Sequence, residues 1–66
     1  MEDYQNRVIE EHQELNSKYH KLTGFVLSKD FLALPSEERT LLMMQQRAMA
    51  EYRNCLRERI KAFEKQ

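Results

Sequence analysis

Apolar side chains recur at spacings of three and four residues along both halves of this chain, and no other feature constrains the fold as strongly. In the first half the stripe comprises Tyr4, Val8, Leu15, Leu22 and Phe25. Residues at these spacings share one face of a helix, because about 3.6 residues complete a turn. The pattern therefore predicts an amphipathic helix over about residues 2–28.

The chain offers only one place for a connection. With a single Gly and a single Pro, it has few turn-forming residues, and the segment SKDFLALP leads up to that proline, Pro35. Ser36 follows as a predicted N-cap, with Glu37 and Glu38 in the first turn beside the positive end of the helix dipole. We therefore predict a connection over residues 29–35 and a second helix over about residues 36–64.

The second helix carries its own stripe with the same alternating spacing. Its members are Leu42, Gln45, Met49, Tyr52, Leu56, Arg59 and Phe63. Two members are polar, and Glu11 and Lys18 fill equivalent places in the first helix. Polar groups within an apolar seam commonly fix register or partner choice, so we assign that role to Glu11, Lys18, Gln45 and Arg59. We also predict a contact between Glu11 and Arg59.

The fold class predicted from these stripes is all-α: one domain, residues 1–66, forming an antiparallel two-helix hairpin that self-associates into a helical bundle. The first 17 residues are mainly acidic and residues 47–65 mainly basic, which favours antiparallel pairing. Self-association is expected because 66 residues fall below the roughly 70–80 at which one core usually suffices. A disulfide within the chain is excluded, because Cys55 is the single cysteine; we expect it to be a small buried residue.

Several classes of function receive little support from the residues. The 11 basic and 11 acidic residues balance, so we expect no sequence-specific nucleic-acid binding. No metal-ligand spacing joins His12 to His20, and nothing activates Cys55, so we expect no metal, no cofactor and no catalysis. No apolar run is long enough to span a membrane, and we expect a cytoplasmic protein.

Two surface features remain as candidate binding sites. Arg53, Arg57 and Lys61 lie four residues apart and form a basic ridge that suits phosphate groups, with Arg47 nearby. Three glutamates are interspersed (Glu51, Glu58 and Glu64), and they favour a solvated face paired with the first helix. Met43 and Met44 cannot both face the core of a hairpin, so one of them is expected to contact another subunit or a partner.

The pattern of core and seam residues resembles a family of small uncharacterised helical-hairpin accessory proteins of tailed bacteriophages and prophages. The resemblance spans nearly the whole chain. Its matching positions are Tyr4, Arg7, Val8, Glu11, Glu14, Leu15, Lys18, Leu22, Phe25, Phe31, Leu34, Glu38, Leu41, Leu42, Gln45, Met49, Tyr52, Leu56, Arg59, Ile60 and Phe63.

The resemblance implies a protein that counters host defence by binding, since phage accessory proteins of this size commonly disable a host process in this way. If the chain is phage-encoded, the expected location is the host cytoplasm. Our first hypothesis is a homo-oligomer that sequesters a small anionic, nucleotide-type host signal where subunits meet. Its candidate contacts are Lys18, Gln45, Tyr52, Arg53, Arg57 and Arg59. The alternatives are an inhibitor that binds a host protein through an apolar helix face, and a structural assembly module.

Overall fold

The computed structural model describes residues 2–65, which form three helices: α1 (Asp3–Val26), α2 (Lys29–Leu32) and α3 (Ser36–Glu64). The described residues contain no strand, and the predicted all-α class is confirmed. At the start of α1, the Glu2 backbone N–H donates to Gln5 Oε1 at 3.0 Å, which satisfies one of the amides that a helix leaves free at its beginning.

The two long helices lie side by side, with the beginning of α1 next to the end of α3. The ring centroids of Tyr4 and Phe63 are 5.7 Å apart in an edge-to-face arrangement. Near the other end, Gln46 Nε2 donates to Thr23 Oγ1 at 2.9 Å. The helices therefore run in opposite directions, and the chain forms a rod about 48 Å long and 14 Å across.

The connection between the long helices contains the short helix α2. Instead of continuing to residue 28 as predicted, α1 ends at Val26, and Ser28 caps α2 by accepting from the Phe31 backbone N–H at 3.4 Å. Phe31 is buried, with its ring centroid 6.2 Å from that of Phe25. The apolar residues of the predicted connection therefore include one that closes the end of the core.

The predicted cap at Ser36 is wrong. Pro35 is the N-cap of α3 and makes no side-chain hydrogen bond, while its carbonyl accepts from the Arg39 backbone N–H at 3.1 Å. Ser36 is the first helical residue, and its carbonyl accepts from Thr40 Oγ1 at 3.0 Å. Helix initiation here depends on the fixed φ of proline and on the acidic first turn rather than on a serine hydroxyl.

The core is a narrow seam between α1 and α3. Val8, Leu15 and Leu56 are its buried centre, and Leu56 retains only 1% of its accessible surface. Met49, Ile60 and Phe63 are partly buried around them. One stripe from each long helix thus supplies the buried apolar surface that holds the pair together.

The seam uses a different second row of side chains from the one predicted. Val8, Leu15, Leu22, Leu42, Met49, Leu56 and Phe63 face the partner helix as expected, but the positions between them differ. The observed intermediate positions are Gln5, His12, Tyr19 and Val26 in α1 and Arg39, Gln46, Arg53 and Ile60 in α3, all buried or half-buried. Of the predicted ones, Glu11 is half-buried, whereas Tyr4, Lys18, Phe25, Gln45, Tyr52 and Arg59 are exposed. Cys55 is exposed as well, so its predicted burial is wrong.

The seam predicts a strong dependence of stability on Leu56. We expect Leu56→Ala to lower the free energy of unfolding by about 2–5 kcal/mol, because the mutation leaves a cavity at the most buried position. Leu27→Ala removes the same atoms from a residue that is 84% exposed and should change stability little. Urea unfolding at one fixed protein concentration measures both, and equal losses would contradict this description of the core.

Gly24 offers a change in the opposite direction. It lies within α1, and a methyl group added there would meet no atom within 4 Å. We expect Gly24→Ala to raise the free energy of unfolding by about 0.5–1 kcal/mol, since alanine loses less backbone entropy in a helix. A higher urea midpoint with an unchanged slope would show this gain; a lower midpoint would mean that the position has a packing role.

Candidate functional site

Tyr52 and Arg53 are neighbours in the chain but lie on opposite sides of α1. Successive side chains of a helix point about 100° apart, and α1 packs against α3 between the directions of the Tyr52 and Arg53 side chains. Tyr52 therefore reaches Glu11, whereas Arg53 reaches Asn16. We call the two sides of the helix pair the Tyr52 flank and the Arg53 flank.

Arg53 is held by two contacts on its flank. Its Nη1 donates to Asn16 Oδ1 at 3.0 Å, and its Cζ lies 4.1 Å from the centroid of the Tyr19 ring, a cation–π distance. Its Nε is buried and has no hydrogen-bond partner among residues 2–65, as is also true of Arg39 Nε. The Arg53 guanidinium is therefore fixed in position, with its Nε enclosed between the helices.

Two adjoining hollows follow the Arg53 flank, and we call them together the Arg53 groove. The smaller, about 170 Å³, is lined by His12, Asn16, Arg53 and Arg57. The larger, about 540 Å³, is lined by Tyr19, Thr40, Met43, Met44, Gln46, Arg47 and Ala50. Arg53, which lines the smaller hollow, stacks on Tyr19, which lines the larger one. One end of the groove is therefore cationic, and the other is largely apolar.

The Tyr52 flank is organised by a hydrogen bond between the long helices. The Tyr52 hydroxyl donates to Glu11 Oε2 at 2.5 Å. This bond raises the pKa of Tyr52 above the ordinary value of 10.0, and the positive charge of Arg59 opposes the rise. No ion pair joins Glu11 to Arg59 in the described part of the chain. The partner of Glu11 is thus Tyr52 rather than the predicted Arg59.

The six predicted ligand contacts do not form one site within a chain. Arg53 and Arg57 line the Arg53 groove. Tyr52 and Arg59 lie on the Tyr52 flank. Lys18, two turns from Glu11, lies on the same flank. So does Gln45, whose Nε2 is 4.0 Å from Met49 Sδ.

Met43 and Met44 both line the larger hollow, and both are exposed. The sequence reasoning did not include the other lining residues, such as Tyr19, Asn16 and Gln46. A spacing of seven residues could have identified this row from the sequence. His12 and Tyr19 have this spacing, as do Gln46 and Arg53, and all four lie along the observed seam.

Residues 2–65 lack two features that would point to a membrane or a metal. No helix there has an apolar stretch long enough to cross a bilayer. The same residues contain no group of three or more His, Cys, Asp and Glu side chains placed to hold a metal ion.

Comparison with known proteins assigns the chain to a family. The sequence profile named Sequestin matches residues 2–62. The chain belongs to the Sequestin family. It is also 40% identical over 60 residues to a protein of Enterobacteria phage T4 described as an uncharacterized 7.5 kDa protein in the denB-rIIB intergenic region. The match covers 91% of this chain and 94% of the phage protein. No solved structure matches the chain.

These matches confirm the resemblance to small phage accessory proteins. The matched range includes both flanks, from Tyr4 through Arg59.

The Glu11–Tyr52 bond predicts how stability depends on alkaline pH. The proton is bound more tightly in the folded state, so the stabilisation from this bond is fully present below pH 10.0 and is lost as pH rises through the raised pKa of Tyr52. We expect Glu11→Gln to lower the pKa of Tyr52 towards 10.0. Absorbance titration of the tyrosinate signal measures the change, with Tyr52→Phe identifying which transition belongs to this residue. An unchanged titration in Glu11→Gln would contradict the assignment.

Proposed function

We propose that this member of the Sequestin family is a non-enzymatic, self-associating phage accessory protein that counters host defence by sequestering a small anionic, nucleotide-type host molecule. The Arg53 groove is the observation that carries the proposal, because it joins a cationic end to an apolar end on one surface. The name of the family supports sequestration as the mode of action. Binding alone accounts for the proposed activity, and no bond in the ligand needs to change.

Phosphate groups would bind at the cationic end. Arginine offers a planar set of donors that can form paired hydrogen bonds with phosphate oxygens. Arg53 is oriented by Asn16 and Tyr19, while Arg57 lines the same hollow and donates to Asn54. Because Arg53 is already oriented, little side-chain entropy would be lost when an anion binds.

The nucleoside part would occupy the larger hollow. Its volume of about 540 Å³ falls within the range of about 300–1,000 Å³ common for small-molecule sites. Met43 and Met44 supply flexible apolar contacts for a ring, and Gln46 and Arg47 supply polar groups for its edge. The groove thus provides for both parts of a nucleotide without a glycine-rich phosphate loop.

We propose that only Arg53 and Arg57 of the six predicted residues contact the ligand. Lys18, Gln45, Tyr52 and Arg59 are separated from them by α1, and a ligand held in the groove of the same chain would not reach them. Their proposed role is in contacts between copies. This revises the earlier hypothesis that the ligand lies between subunits.

A second candidate function is inhibition of a host protein through apolar residues at the turn end of the rod. Leu27 and Leu32 are 84% and 68% exposed there. In a pull-down from host lysate, this candidate predicts retention of one protein by the native chain and its loss in Leu27→Ser/Leu32→Ser. Retention that instead requires Arg57 would argue against it.

Calorimetry of the purified protein against a panel of cyclic nucleotides and ADP-ribose derivatives tests the ligand. We expect at least one member to bind, and Arg57→Ala to weaken that binding by about tenfold or more, because a charge-assisted hydrogen bond contributes about 1.5–3 kcal/mol. If no member of the panel produced heat, the proposed ligand class would be rejected.

Arg59→Ala is the matched control, since it removes the same side chain from the opposite flank. It should leave the affinity within about twofold, a difference of less than 0.5 kcal/mol. Equal weakening by Arg57→Ala and Arg59→Ala would instead place the ligand between subunits.

A further inference from the structure

We propose that the Tyr52 flank is the face on which a second copy of this chain packs, around a two-fold axis that passes α3 between Ala48 and Tyr52. The inference rests on the self-association in the proposed function but not on the proposed ligand. It names the surface, the direction of packing and the residues that face each other.

The Tyr52 flank carries a second, complete helical repeat. Beside the buried seam, α3 has another set of positions with alternating spacings of four and three residues, and all of them are exposed: Leu41, Gln45, Ala48, Tyr52, Cys55, Arg59 and Ala62. Tyr4 and Phe25 add exposed aromatic surface from α1 on the same flank. A helix with two such stripes can pack on two neighbours, as the helices of a four-helix bundle do.

The exposed area of the single chain fits one such interface. Its accessible surface is 5291 Å², whereas a compact monomer of 8.0 kDa exposes about 4,450 Å². The excess of roughly 800 Å² is close to what each partner buries in an interface of standard size. Lateral packing of two rods along the Tyr52 flank would remove this excess.

Side-chain sizes along α3 indicate where the axis lies. The midpoint of Ser36–Glu64 is residue 50, and antiparallel packing about this level overlaps the helices along their whole length. It places Ala48 opposite Tyr52 of the second copy and Cys55 opposite Gln45, so that smaller residues face larger ones. The axis thus gives complementary packing as well as full overlap.

Charges on α1 independently indicate the same level. Glu11 and Glu14 precede Lys18 and Lys21, and this acidic-to-basic arrangement is centred near residue 16. Asn16 is hydrogen-bonded to Arg53, which places that centre within about one helical turn of the axis on α3. A two-fold axis there sets the acidic pair of each copy against the basic pair of the other.

A two-fold axis parallel to the rod would place α1 of one copy against α3 of the other, so that Glu14 and Lys18 of the two copies would not face each other. The axis across the rod brings these opposite charges together at both ends of the arrangement. The Arg53 grooves then lie on the two outer sides of the dimer, open to ligand.

Sedimentation velocity of the native protein and of flank variants tests the interface. We expect the native chain to sediment at twice 8.0 kDa at tens of micromolar, and Ala48→Arg to sediment as a monomer. Met44→Arg places the same side chain on the Arg53 flank and should remain dimeric. A native monomer at this concentration, or a dimer that survives Ala48→Arg, would overturn the proposal.

Charge reversal tests the packing direction. It also tests the interface if Ala48→Arg loses the helical circular dichroism signal and therefore does not fold. Lys18→Glu should raise the dimer dissociation constant about fivefold or more, and Glu14→Lys/Lys18→Glu should restore it to within about twofold. A double variant as weak as the single one would overturn antiparallel packing. Both experiments measure mass alone. A dimer that binds no nucleotide would therefore support this interface and reject the proposed ligand.

Discussion

The structure depends on a single apolar seam, because two helices in contact can each bury only one stripe. Leu56, Val8 and Leu15 fill that seam, and Leu56 alone is almost completely enclosed. A rod 14 Å across has no second layer in which to bury the remaining apolar residues. The exposure of Tyr52 and Leu41 therefore follows from the geometry of a helix pair rather than from a poor choice of residues.

Helical spacing and the position of Pro35 were enough to predict two long helices, because both signals are local. The seam could be predicted only in part. Leu15 and Leu56 belong to the seam whichever neighbouring row of residues is assigned to it. Two rows flank these leucines, and the more apolar row includes Tyr4 and Phe25. The structure instead turns the row containing Gln5 inwards. Apolarity alone favours the row that the structure leaves exposed, because the inward row also includes His12, Arg39 and Arg53.

The candidate ligand contacts show the same limit of the sequence. They were proposed for a pocket between subunits, and within one chain the side chains of Tyr52 and Arg53 point to opposite sides of α1. The basic ridge was visible because Arg53 and Arg57 are four residues apart. Tyr19 and Asn16 were not, because only the packed pair of helices brings them to Arg53. Contacts of this kind depend on the tertiary register, which a stripe with two candidate rows leaves open.

In the dimer that we propose, the Glu11–Tyr52 hydrogen bond lets a polar pair lie on the covered surface. A tyrosine hydroxyl buried without a partner is unfavourable, but this hydroxyl already donates within its own chain. The raised pKa keeps the Tyr52 hydroxyl neutral over a wider range of pH, so covering it does not require burial of a phenolate. One bond between the helices thus satisfies the polar pair of the Tyr52 flank, while Asn16 and Tyr19 fix the guanidinium of Arg53 on the other flank.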